Sequence, residues 1–211
     1  MRKSRAMVLL PALCLLAAFA AHLPAQEWED DWDFQMVDLY ARGDQTFAIS
    51  LGLIFPTVFA GPGVDPQFYG RFGLRRVGGS GSLAYTHFLG AHAFVGAEIG
   101  VKFCGTVGGN TLFIIPIGIR AGWQFIFRRF EFPVSVAAGI APQRHMEDSH
   151  AGFFLRGGFS AFYRFSPEWS FGLNTDWSWY PQRPRVDGRR APQYDVHGNI
   201  MGLTVSARYH F

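Results

Sequence analysis

GLTVSARYHF, residues 202–211, alternates without a break. Leu203, Val205, Ala207, Tyr209 and Phe211 fall on one face, and Gly202, Thr204, Ser206, Arg208 and His210 on the other. Successive side chains of a β-strand point to opposite sides. The stretch therefore reads as a strand with one apolar face that ends in aromatics and one small, polar, basic face. Working back towards the N-terminus, the same period recurs until about residue 45.

From Gln45, Phe47, Ile49, Leu51, Leu53 and Phe55 oppose Thr46, Ala48, Ser50 and Gly52. Residues 77–88 are a weaker strand, rich in Gly and Ser, with Leu83 and Tyr85 on its apolar side. Residues 91–103 and 113–127 alternate clearly, with an inner line of Glu98, Lys102 and Arg120. Residues 130–140, 153–165 and 169–179 follow, carrying Glu131, Arg156 and Asp176 on their polar faces. Between them lie short turns at 89–90, 128–129 and 166–168, and Gly/Pro-rich or polar loops at 56–70, 105–110, 142–151 and 181–195. Eight strands result. Their connections are long after the first, third, fifth and seventh strands and short after the others, which is the rhythm of an up-and-down barrel with both chain ends at the short-turn end.

The other end of the chain carries an export signal. Arg2, Lys3 and Arg5 precede an uncharged apolar stretch, residues 6–21, too short for a spanning helix, which needs about 20 residues. Cleavage is expected after Ala25. The domain reading is then 1–25 signal peptide, 26–44 an acidic periplasmic segment, and 45–211 the barrel. The three signal cations account for the formal net charge of +3, so the mature chain is close to neutral. Cys14 lies in the signal and Leu13 before it argues against lipidation, which leaves Cys104 alone as a small packed residue with no disulfide partner in the chain. No other long apolar run remains, so helical membrane spans are excluded. A closed barrel is not, because its apolar residues are spread by alternation.

Eight alternating strands suit either a soluble lipocalin-like barrel, greasy inside, or a membrane barrel, greasy outside. The polar faces are mainly Gly, Ala and Ser, which fit a narrow interior. Their charges are of both signs: Glu98, Lys102, Arg120, Glu131, Arg156, Asp176 and Arg208. Aromatics such as Trp123, Phe125, Tyr163, Phe165, Trp169, Trp177, Trp179, Tyr209 and Phe211 cluster near strand ends, as interfacial girdles do. These features select the transmembrane barrel. Inward charges then need partners, and a network is expected in which Arg120, Arg156 and Arg208 meet Glu98, Glu131 and Asp176 and fill the lumen.

With this pattern and its aromatic terminus the chain resembles the small eight-stranded outer-membrane barrels of the OmpX, OmpW and OmpA-membrane-domain group, over about residues 45–211. The resemblance implies residence in the outer membrane among its lipids, including lipopolysaccharide, and insertion by the barrel-assembly machinery. Tyr209 and Phe211 would be the signal that machinery reads. Functions in the group include adhesion, passage of small apolar molecules and anchoring, and the fold does not choose among them. The expected role is structural or surface-binding through the extracellular loops, with a host or glycan ligand. A narrow channel for small solutes is the alternative, and lipid A modification a remoter one.

Few residues carry reactive chemistry. His145, Met146, Glu147, Asp148, Ser149 and His150 form a compact polar stretch, but their spacing fixes neither a metal site nor a triad. His87 faces outward, and no serine lies two residues beyond it, unlike the lipid A deacylase arrangement. No enzyme activity, metal or cofactor is expected. Arg183, Arg185, Arg189 and Arg190 make the last long loop basic, suited to phosphate or carboxylate. Nucleic acid is not an expected partner behind an export signal.

Overall fold

The computed structural model describes residues 40–60, 77–105, 111–145, 148–182, 185–186, 189–190 and 196–211. The proposed signal and most of the acidic segment lie outside the described residues. The strands are β1 (Gln45–Ala60), β2 (Gly78–Phe88), β3 (Ala93–Gly105), β4 (Thr111–Ile114), β5 (Ile117–Phe127), β6 (Phe130–His145), β7 (Asp148–Arg164), β8 (Trp169–Gln182), β9 (Arg185–Val186), β10 (Arg189–Arg190) and β11 (Val196–His210).

Every neighbour along the barrel is antiparallel, and the sheet closes on itself because β1 pairs with β2 on one side and β11 on the other. β4 and β5 run end to end as one stave, so the barrel has eight. The break falls at Ile115–Pro116, where proline has no N–H to donate. Around it the ladder continues: Gly100 N–H donates to the Pro116 carbonyl at 2.8 Å and Ile115 N–H to the Pro142 carbonyl at 2.9 Å. The start of β1 and Phe211 are tied into the closure as well. Gln45 and Phe211 exchange reciprocal backbone hydrogen bonds of 3.1 Å. In a membrane this matters, since an unpaired edge would leave polar backbone without water.

The faces divide as the alternation predicts. Outward side chains include Leu51, Ile119, Val136 and Val205, with 60–74% of their surface exposed. Such an apolar exterior suits lipid and not water. Rings gather at the short-turn end, with Trp169 and Tyr209 centroids 5.1 Å apart, Phe130 and Tyr163 5.3 Å, and Tyr209 and Phe211 6.0 Å. The other end has Trp179 stacked on His197 at 5.7 Å.

Strand lengths correct the expected loop bounds. Residues 142–151 are not a broad polar loop: β6 and β7 stay paired from Ile140↔Phe153 out to His145↔Asp148. The polar residues there still satisfy the backbone ladder of the hairpin, and β4 pairs with β6 out to Leu112↔His145. β1 likewise continues to Ala60, five residues into the stretch read as loop, with a register shift between Pro56 and Phe59. In the last long loop β9 and β10 pair as a small hairpin.

Candidate functional site: the barrel interior

Inward-facing residues divide into three zones along the barrel axis. At the long-loop end Ile54, Cys104, Ile114, Phe154, Tyr180 and Ile200 form a buried apolar cluster. Cys104 is 2% exposed there and unpaired. The sequence reading placed only polar and small residues inside. It overlooked that the inner faces turn apolar on their final residues, as at Ile54, Ile114 and Ile200.

The middle zone is charged. Lys102 Nζ donates to Asp176 Oδ2 at 2.7 Å and to Ser178 Oγ at 2.9 Å, and Ser178 donates to the same carboxylate oxygen at 2.8 Å. Asp176 fits because Gly202 lies beside it. A Cβ at residue 202 would run into the Asp176 carboxylate. Arg156 is paired with Glu98. Arg120 makes no ion pair or hydrogen bond among the described residues, and its guanidinium lies 5.4 Å from the Phe94 ring centre. A cavity of about 70 Å³ runs through this zone, lined by Glu98, Arg120, Arg156, Asp176 and several Ser and Thr hydroxyls.

Glu131 anchors the short-turn end. It is fully buried and takes four donors: Arg164 Nε at 2.8 Å, Tyr40 Oη at 2.8 Å, Gln124 Nε2 at 3.0 Å, and Arg208. His210 Nδ1 lies 2.9 Å from an Arg164 nitrogen, and a guanidinium can only donate, so Nδ1 accepts. The other ring nitrogen then carries the hydrogen shared with Ser170 Oγ at 2.9 Å. Aromatic faces cover the cations, with Arg208 4.0 Å from the Phe162 centroid and Arg164 4.8 Å from that of Tyr40. Tyr40 precedes β1, yet it is 2% exposed and stacked on Phe88 at 3.9 Å. Burial pushes its hydroxyl up to about 12, and the Glu131 charge adds to that against the opposing arginines, so it remains a donor at neutral pH.

All seven charges singled out in the sequence face the interior. The pairs are Lys102 with Asp176, Arg156 with Glu98, and Arg208 with Glu131. Arg120 stays apart. Sequence reasoning passed over Arg164, Gln124, His210 and Tyr40. Arg164 and His210 were visible on polar faces, and Arg164 lies eight residues from Arg156 in the same alternation. Tyr40 gave no periodic signal. Tyr209 and Phe211 point outward at the short-turn end, 38% and 60% exposed. Arg185, Arg189 and Arg190 belong to the β9–β10 hairpin, and Arg183 lies outside the described residues. Of the compact polar stretch, His145, Asp148, Ser149 and His150 stand in the β6–β7 ladder, while Met146 and Glu147 lie outside the described residues. His87 pairs in register with Gln45 on the short-turn half of β2.

An apolar exterior, a closed eight-stave wall and a polar interior define the class: a transmembrane β-barrel of the outer-membrane type. The chain belongs to a protein family whose model matches residues 27–209. Two uncharacterized proteins of Treponema pallidum (strain Nichols) are similar to it. One is 25% identical over 95 residues, covering 45% of this chain and 43% of the relative. The other is 23% identical over 141 residues, covering 62% and 48%. The chain thus spans less than half the length of the curated relatives it matches. Among solved structures, Neisserial surface protein A superposes with a TM-score of 0.59 at 9% identity, over 82% of this chain and 99% of that one. At that identity the likeness speaks to fold alone.

Proposed function

We propose that this chain is a non-enzymatic outer-membrane protein whose barrel is a closed scaffold and whose long-loop end meets an anionic surface or glycan. The observation that carries the reading is the filled interior. The Ile54–Phe154–Tyr180 cluster occupies one end, ion pairs cross the middle, and Tyr40, Phe88 and Phe94 pack at the other end. An eight-stave barrel has an interior just wide enough for side chains or one small ligand, and here side chains take most of it. The plug of charges is a structural element in this reading. The basic hairpin around Arg185, Arg189 and Arg190 is the contact for phosphate or carboxylate groups, including those of lipopolysaccharide. By the same reading the barrel-assembly machinery inserts the chain through its Tyr209–Phe211 end.

Planar-bilayer recording of the purified protein tests the closed scaffold. No steady conductance is expected. Large, steady conductance that survives substitution of the loop arginines would replace the scaffold with a channel. Binding to immobilised sulfated or phosphorylated glycans tests the surface role, and should weaken when Arg185, Arg189 and Arg190 are changed together to Gln.

A further inference from the structure

The interior charges do not balance. Among the described residues, Lys102, Arg120, Arg156, Arg164 and Arg208 face inward against Glu98, Glu131 and Asp176. Asp176 is taken by Lys102, Glu98 by Arg156 through Oε2 while its Oε1 has no hydrogen-bond partner, and Glu131 by both Arg164 and Arg208. Arg120 is left over, and its buried Nε has no hydrogen-bond partner. The charged groups near enough to act on it are Glu98, Arg156 and Arg208, so cations outnumber carboxylates around it even if Glu98 were shared. Arg120 and Arg156 lie on one cross-strand row of the wall, separated by Ala137 of β6. Both arginines line the same cavity. A guanidinium that is always ionised, and that lines a narrow cavity where cations outnumber carboxylates, favours a counter-charge.

We propose that the cavity holds one small monovalent anion of halide size against the Arg120 guanidinium, on the side facing Arg156. A cavity of about 70 Å³ has room for such an ion and a few waters, since one water needs roughly 10–15 Å³ by this measure. The nearby hydroxyls and Asn174 can donate to an anion as readily as to water. The ion supplies the negative charge that the chain itself does not, and the inference requires only the cavity, whether or not the barrel conducts.

Bromide is the probe. Protein isolated from membranes in detergent and exchanged into sodium bromide is crystallised, and diffraction data are collected at the bromine absorption edge. One anomalous peak is expected inside the barrel, within contact distance of Arg120. The same protein should unfold at a higher temperature in sodium chloride or bromide than in a salt of a bulky anion, such as gluconate, at equal ionic strength. Arg120→Gln should abolish that difference. If that variant does not fold, the wild-type bromide map alone decides. Bromide peaks confined to the outer surface, or an Arg120 that reaches Glu98 directly with no peak between, would overturn the proposal. So would a halide effect of equal size in wild type and Arg120→Gln.

Discussion

Glu131→Gln removes one charge from the most densely bonded group in the barrel. The carboxylate is fully buried and holds Arg164, Arg208, Gln124 and Tyr40 at once. The amide matches its shape but turns two of its hydrogens towards groups that already donate. Removing one partner of a buried ion pair costs about 3–5 kcal/mol, and here two guanidiniums lose the same partner. The losses do not add, because all four donors share one acceptor. A net loss of about 3–5 kcal/mol is therefore expected, or roughly two to four orders of magnitude in the unfolding equilibrium at about 1.4 kcal/mol per tenfold. Urea unfolding in phospholipid vesicles, followed by tryptophan fluorescence, measures it. Glu168→Gln in the exposed turn after β7 is the control, since among the described residues the Glu168 carboxylate accepts only from Ser166, at 3.1 Å. It should stay within about 0.5 kcal/mol of wild type. Adding Arg164→Gln to Glu131→Gln should restore part of the loss by removing one stranded cation. If Glu131→Gln alone falls within about 1 kcal/mol of wild type, lumen water solvates these arginines and the cluster does not hold the barrel together.

Three other outcomes are expected. Deleting Phe211 should lower membrane-inserted yield in cells far more than it lowers refolding in detergent, and equal, normal yield in cells would make the aromatic terminus incidental. Gly202→Ala should cost about 1–3 kcal/mol in urea unfolding, because the new methyl displaces the Asp176 carboxylate from its place beside Lys102. Its cost should vanish in an Asp176→Ala background. Tyr40 titrates near 10 when unfolded but at about 12 when folded. Its folded form thus keeps the proton that the unfolded form loses, and stability should fall as pH climbs from about 10 to 12, by up to 1.4 kcal/mol per unit. Tyr40→Phe should lose this share of the alkaline slope, and identical slopes in the two proteins would refute it.

The alternation of residues 202–211 and its relatives was enough to assign strands, faces and the membrane exterior, because a period of two leaves each side chain only two directions. What stayed hidden depends on register and on distance across the lumen. Nothing in the sequence tells Arg156 to take Glu98 while Arg120 goes without, because that choice is set by how far each strand is sheared along its neighbour. The β6–β7 extension was illegible because Pro142, Gln143 and Arg144 look like loop residues, and only the facing chain shows that their backbone is laddered. Tyr40 escaped for a different reason. A side chain that enters a barrel from its end obeys no strand period.

The reciprocal bonds between Gln45 and Phe211 also impose an order in time. Every other seam of the wall joins strands that follow one another in the chain, but this one joins the first strand made to the last. A chain emerging during synthesis can form hairpins as it goes, yet it cannot shut the cylinder until β11 is free to pair with β1. Until then β1 offers a bare edge to any strand it meets. Contacts that span nearly the whole chain also form slowly. The circular wall that keeps the backbone out of lipid thus leaves β1 without its second neighbour until β11 reaches it.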